Sequence, residues 1–576
     1  RMNCTRFFGR RPARRAAAPV VVFVVLLWST ASFAVQPTVN TVQPYGFQRG
    51  TEVEVQLTGA RLGDSQELML YSPGVTVKSI EATTEKDTLV KAVLTVAPDC
   101  RLGEHAFRVR SATGISNLRT FYVGALPEVA EAEPNNDFSA PQAVQLGCVI
   151  SGVVQAEDVD HYVVEAKKDE RITAELEGVR LGYTFFDPYV AILNEDRFEL
   201  SRSDDSPLLR QDSLCSILAP ADGKYIVQVR ESAYGGDGNC KYRLHVGRFP
   251  RPTAVLPGGG RPGSLDITWM GDARGPRTET VILPESGETS FGLFAQDEHG
   301  IAPSPNVVRV VDLENILEKE PNNTRETATV GPAPAALNGI LQEPADYDYF
   351  RFPAKKGQVF DVRTYAREPL RSAVDTVINV YRATGGSRVG GNDDSGGPDS
   401  YFRFTAPADD DYILQIYDHL KAGGPEYVYR VEVSPPKPSL TLSLPEVQQY
   451  VPVNIPVARG NRMAVMVNAK RENLGGELAL ACEGMPQGMS LDVANMPANR
   501  TDVPVLISVA ADAPLGGALA DLQARPVDEN LKHVVGHLRQ RTMLVRGQNN
   551  RDVWGHNADR VALAVTEPLP CTIDVA

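Results

Sequence analysis

The sequence predicts an all-β protein of tandem β-sandwich domains after an N-terminal signal peptide. Three observations predict it. Gly and Pro are abundant, at 48 and 42 residues, which implies many turns and hence many short strands. Polar and apolar residues alternate at period two over short runs such as Thr51–Leu57 and His105–Arg110, the pattern of a half-buried strand. One acidic stretch also occurs twice, Glu131-Ala-Glu133-Pro134-Asn135-Asn136 and Glu318-Lys-Glu320-Pro321-Asn322-Asn323.

Each acidic copy opens a segment that keeps matching downstream. Asp158-Val-Asp160-His-Tyr162 returns as Asp346-Tyr-Asp348-Tyr-Phe350, Asp204-Asp205 as Asp393-Asp394, and Tyr242-Arg243-Leu244 as Tyr429-Arg430-Val431. So steady a register over so many points means two copies of one domain with small loop insertions. At 576 residues the chain is too long for one core and divides into about four or five domains.

Residues 1–34 read as an export signal: six arginines lead into the apolar run 16–28, and Ser32-Phe33-Ala34 supplies small residues for cleavage. The alternative is a retained anchor, although the run is short for a bilayer. No later stretch approaches a transmembrane span. The full chain carries a net charge of −14, and loss of those six arginines would leave −20. Such a surface repels phosphate backbones, which argues against a nucleic-acid partner and favours divalent cations. The expected partners are an extracellular protein or a polysaccharide.

Residues 37–124 form the first predicted sandwich. Its Gln43-Pro44, Arg49-Gly50-Thr51, Leu57-Thr58-Gly59, Phe107-Arg-Val-Arg110 and Gly114 resemble the IPT/TIG immunoglobulin-like family. The first repeat covers 130–247 and the second 318–434. Between them, 251–317 holds strands such as Ser264–Trp269 bounded by Pro/Gly clusters, and reads as a small β-sandwich. Pro435-Pro436-Lys437-Pro438 forms an extended spacer. Residues 439–560 again alternate, and the turns at Gly484–Met489 and Ala511–Gly516 resemble those of bacterial immunoglobulin-like domains attached to secreted enzymes. Residues 561–576 read as the first strand of a further, truncated domain.

In an extended chain, side chains at i, i+2 and i+4 share a face. Glu131, Glu133 and Asn135 therefore point together, as do Glu318, Glu320 and Asn322. Pro134 and Pro321 hold the preceding glutamate extended. Asp158 and Asp160, or Asp346 and Asp348, would supply the other half of the site from a strand. Clustered carboxylates repel unless a cation sits among them, and hard oxygen ligands at flexible spacing suit Ca²⁺. The competing reading is that these acids cap a turn and solvate a domain edge.

The E-x-E-P-N-N opening, the D-x-D-x-[YF] strand and the closing Ala219-Pro-Ala-Asp222-Gly-Lys-Tyr225 and Ala406-Pro-Ala-Asp409-Asp-Asp-Tyr412 together resemble the bacterial pre-peptidase C-terminal domain family. The resemblance covers both copies at full length. It implies a jelly-roll-type sandwich of the kind found after secreted proteases. It also implies calcium ligation by Glu131, Glu133, Asn135, Asn136 and Asp160, and by Glu318, Glu320, Asn322, Asn323 and Asp348. Asn136 and Asn323 stand where the collagenase members of that family carry Asp.

Six cysteines remain beyond the signal and none forms a C-x-x-C pair, which excludes a zinc ribbon or thioredoxin-type site. Cys215 and Cys240 are read either as a disulfide between neighbouring strands or as two buried thiols. His533-Val-Val-Gly-His537 has the spacing of a zinc-protease helix but lacks the glutamate that would activate water. With no nucleophile elbow, phosphate loop or dinucleotide fingerprint, the expectation is a secreted or cell-surface, non-catalytic binding, adhesion or spacer protein. The alternative is an accessory portion of a secreted peptidase system, serving substrate capture or maturation.

Overall fold

The computed structural model describes residues 36–82, 87–285, 287–395, 397–446 and 449–568. The expected signal, residues 1–34, lies outside them. The described residues fold as short strands joined by turns and a few three-residue 3₁₀ segments, with no α-helix among them. None of their helices is long and apolar enough to cross a membrane.

The two repeats share one topology, strand for strand. In the first, one sheet runs Gln142–Ala143, Val159–Ala166, Gly223–Glu231, Pro188–Asn194, Glu199–Ser203. The sheet facing it runs Leu214–Leu218, Arg171–Glu177, Lys241–Gly247, Cys148–Val153, Glu128–Ala130. The second repeat orders its sheets identically. One is Thr329–Val330, Asp348–Ala354, Asp410–Asp418, Thr376–Arg382, Arg388–Asn392, and the other is Tyr401–Thr405, Val359–Tyr365, Val428–Ser434, Ala335–Ile340, Asn315–Leu317. Period-two alternation turns one side of each strand inward. Tyr162, Val164, Ile172 and Leu244 fill the first core, and Phe350, Phe352, Val362 and Val431 the second.

Two four-stranded sheets form the first sandwich, around Leu57, Leu94, Phe107 and Phe121. Between the repeats, two three-stranded sheets enclose Ile267, Trp269, Leu283 and Val308.

Two expectations are corrected. Val561–Thr566 does not open another domain: it pairs parallel with Ile455–Ala458 and antiparallel with Gly516–Ala520, inside the last sandwich. Cys215 and Cys240 are free and buried, as the reading of two buried thiols has them, and the disulfide reading is corrected. The strand Arg171–Glu177 runs between the strand holding Cys215 and the one that Cys240 leads into, so the two are not on neighbouring strands. Burial pushes the Cys215 thiol up to about 12.

The first and last sandwiches touch. Met69 and Ile115 pack on Ala562 and Ala564, Glu567 N–H donates to Ala112 O at 2.9 Å, and His556 Nδ1 lies 2.5 Å from Glu104 Oε1. The first repeat is also tied to the unit after it. Arg251 Nε donates to Glu175 Oε2 at 2.5 Å, Arg180 Nη2 reaches Glu175 Oε1 at 3.2 Å, and all three side chains are buried. A charge so enclosed persists only when paired.

Candidate metal centre

The opening segment of the first repeat lies along the strand Cys148–Val153. Glu131 N–H donates to Ser151 O at 3.1 Å, and its Oε2 accepts from Val153 N–H at 3.0 Å. Asp160 enters from the second position of Val159–Ala166, and alternation sends Asp160, Tyr162 and Val164 inward together. Glu133, more exposed, turns its Oε2 back to accept from Asn135 N–H at 2.9 Å. Ligand oxygens of Glu131, Glu133 and Asp160 all lie within 4.8 Å of one another.

The second repeat builds the same cluster from Glu318, Glu320 and Asp348. Ile340 N–H donates to Glu318 Oε1 at 2.8 Å, and Asn322 N–H to Glu320 Oε2 at 2.8 Å. In both copies the peptide between the second glutamate and proline is cis.

Asp158 and Asp346 do not join these clusters. Asp158 precedes its strand, where it accepts from the Asn136 side-chain amide and from Gln155 N–H at 3.0 Å. Asp346 accepts from Asn323 Nδ2 at 3.1 Å and Gln342 N–H at 2.8 Å. The strand begins one residue after Asp158 and two after Asp346, so these aspartates pin the opening segment. Asn136 and Asn323 act as amide donors to them, a role an aspartate could not fill. Asn135 and Asn322 are buried, and their Oδ1 atoms have no hydrogen-bond partner among the described residues.

Residue-by-residue reading missed the tyrosines. Tyr242, fully buried, places its hydroxyl 2.6 Å from Glu131 Oε1 and 2.7 Å from Asp160 Oδ2. Tyr429 repeats this at 3.1 Å from Glu318 Oε2 and 2.6 Å from Asp348 Oδ2. The signal was present, since both tyrosines recur in register, but they served only to mark it. Tyr242 crosses over Gly152, its strand partner. A Cβ there would stand 2.5 Å from the Tyr242 ring and 2.6 Å from Glu131 Oε1, and one at Gly339 would stand 2.0 Å from Glu318 Oε2. Glycine is required because backbone, ring and carboxylate converge.

Burial, with Glu131 beside it, pushes the Asp160 carboxyl up to about 9. Burial and Glu318 do the same to Asp348, also about 9, while burial lifts Glu318 to about 7. The adjacent arginines are committed elsewhere, Arg243 to Glu128 and Glu177, and Arg430 to Glu432. Asp160 Oδ1 and Asp348 Oδ1 are buried without a partner among the described residues. Clustered carboxylates with orphaned oxygens at this spacing fit a hard cation, whose oxygen ligands stand at about 2.3–2.6 Å for Ca²⁺.

His533 and His537 build no zinc-protease helix. His537 lies in the short strand Gly536–Leu538, with Nδ1 3.0 Å from Asp521 Oδ1.

No family model matches the chain. A probable subtilase-type serine protease of Deinococcus radiodurans is 33% identical over 109 residues, which is 18% of this chain and 15% of that protein. Among solved structures, the pre-peptidase C-terminal domain of a Bacillus anthracis collagenase aligns over its full length with 20% of this chain, at 14% identity and a TM-score of 0.17. A Clostridium perfringens M60 catalytic domain with two CBM51 domains aligns over 69% of this chain and 46% of its own length, at 12% identity and a TM-score of 0.15.

Proposed function

We propose that the chain is a secreted or cell-surface, non-catalytic assembly of β-sandwiches in which each repeat fastens its opening segment with Ca²⁺, and that it serves a binding or accessory role. The observation that carries this reading is the twinned oxygen cluster: three carboxylates and a buried, unpartnered aspartate oxygen in each copy. Glu131, Glu133 and Asp160, with Asn135 close by, would hold one ion. Glu318, Glu320 and Asp348, with Asn322, would hold the other. When bound, the ion supplies charge neutralisation. The protein's own groups do the rest: Tyr242 and Tyr429 orient the buried carboxylates, and Asp158 and Asp346 anchor the chain entering the site.

The one cysteine–histidine contact among the hydrogen bonds of the described residues does not suit thiol catalysis. Cys100 Sγ lies 3.9 Å from His105 Nε2, both are buried, and that nitrogen already contacts Arg101 O at 2.7 Å. Burial raises the thiol and lowers the imidazole, so the pair stays neutral.

A second reading, an accessory portion of a secreted peptidase system, is favoured by the partial match to the subtilase-type relative. Calorimetric melting of the purified chain in Ca²⁺ and in EDTA tests the main reading. A higher melting temperature in Ca²⁺, lost in Glu133→Ala/Glu320→Ala, supports it, and identical melting removes it.

A further inference from the structure

Three modules meet at one cleft, whose lining shares no residue with the cation clusters. The Phe185 loop and the Arg210 turn of the first repeat, the Arg367–Arg371 turn of the second, and the hairpin tip Gly547–Val553 of the last sandwich enclose about 740 Å³. Four arginines line it, Arg210, Arg367, Arg371 and Arg551, against two acids, Glu368 and Asp552. Those acids are already shared or taken, and Arg367 has its own partner in Asp375, at 3.4 Å. A fifth arginine, Arg541, grips Asp552 through two nitrogens. Glu368 alone serves Arg210 at 3.3 Å and Arg371 at 4.0 Å.

This local cationic excess opposes the charge of the whole chain, which has 72 acidic against 58 basic residues. Arginines brought together without enough counter-charge repel one another. Burial, with Arg210 next in effect, pushes the Arg371 guanidinium down to about 10. Arg210 Nε is buried and has no partner among the described residues. Both arginines also sit in left-handed backbone, with φ of 66° and 62°, a conformation costly for any residue but glycine. Glu368 Oε1 already stands between the two, but one carboxylate then serves two guanidiniums, and a second anion beside them would relieve the remaining repulsion.

The lining limits what that anion is. Guanidinium forks match carboxylates in bidentate pairs. The Phe185 ring is 47% exposed and offers an apolar face on which a sugar ring can lie. Gln211, Gln548 and Asn549 add amides suited to hydroxyl groups. Only Asp552 and Val553 of the lining lie in a strand, so there is no run of sheet edge to pair with a peptide backbone.

We propose that this cleft binds a uronate-bearing oligosaccharide, with its carboxylate on the guanidinium nitrogens of Arg210 and Arg371 that Glu368 leaves free and a ring on Phe185. The proposal adds a ligand class to the binding role above and does not use the cation sites. Isothermal titration of the purified chain in millimolar Ca²⁺ tests it, with three probes: hyaluronan tetrasaccharide, the same tetrasaccharide with its carboxyls reduced to alcohols, and tetraglutamate. The uronate tetrasaccharide is expected to bind, and the reduced form to bind about tenfold or more weakly, the worth of one charged hydrogen-bonded pair. Arg371→Ala and Phe185→Ala should weaken it, as should Arg551→Glu at the exposed hairpin tip, where folding is not at risk. Binding should persist in Glu133→Ala/Glu320→Ala, so failure of the calcium reading would leave this one standing. The proposal is overturned if the tetrasaccharide does not bind, if the variants bind it unchanged, or if tetraglutamate binds equally well.

Discussion

The Tyr242 hydroxyl stands 2.7 Å from Asp160 Oδ2, at the bottom of the first carboxylate cluster. The same oxygen is 2.6 Å from Glu131 Oε1, yet a phenol has only one proton to give. With both carboxylates ionised, one of them faces a lone pair, and the conflict ends only when a proton or a cation enters. Tyr429 meets the same constraint between Glu318 and Asp348.

Tyr242→Phe removes that donor from a buried aspartate. Leaving a buried acceptor unsatisfied costs about 1–3 kcal/mol, so the first repeat should melt earlier and bind Ca²⁺ more weakly. Tyr162→Phe should cost less. Tyr162 also donates to Glu131, at 2.8 Å, but the second repeat carries Phe350 at the equivalent place and still assembles its cluster. Calorimetry of the two variants with and without Ca²⁺ checks the order.

The raised carboxyls set a pH dependence. Asp160 and Asp348 titrate near 9 in the fold, well above an ordinary aspartate. The folded ion-free chain therefore holds protons that the unfolded chain has lost. Their penalty is absent below the ordinary aspartate range and grows as pH rises toward about 9, so stability falls with pH over that window. In EDTA, melting temperatures between pH 5 and 9 should decline more steeply for the wild type than for Asp160→Asn/Asp348→Asn. Saturating Ca²⁺ should flatten the wild-type slope, because the ion takes the place of the protons.

Gly339→Ala tests the close approach under Tyr429. The added methyl would stand 2.0 Å from Glu318 Oε2, so either the carboxylate or the ring must move. Overpacking of this kind costs about 1–3 kcal/mol and should lower Ca²⁺ affinity at the second site alone. A direct titration resolving two ions per chain in the wild type, and one tight ion in the variant, is the expected result.

Much of this site was legible in one dimension. Repetition picked out Glu131, Glu133 and Asp160 with their counterparts, because alternation and recurrence both act over short spans of chain. Asp158 and Asp346 were misplaced by one and two residues of strand boundary, which decides whether a carboxylate joins the cluster or accepts from the neighbouring asparagine amide. Tyr242 sits 111 residues from Glu131, and no local pattern joins them. The same limit hid the pairing of Val561–Thr566, whose partners are fixed by sheet order, and the contact between the first and last sandwiches.

Glu175 gives the sharpest test of whether the modules act as one body. Its carboxylate is fully buried and takes Arg251 Nε at 2.5 Å and Arg180 Nη2 at 3.2 Å. Burial alone would raise it, but Arg251 and then Arg180 hold it below the usual carboxylate range. Glu175→Gln keeps the shape and removes the charge, stranding the buried Arg251, while Arg180 keeps Asp212. Breaking a buried pair from one side costs about 3–5 kcal/mol. If the first repeat and the unit after it are joined through this charge, the variant should split one calorimetric transition into two and open the Arg248–Thr253 connection to trypsin. A single transition at the wild-type temperature, with no new cleavage, would show that the two units hold together without it.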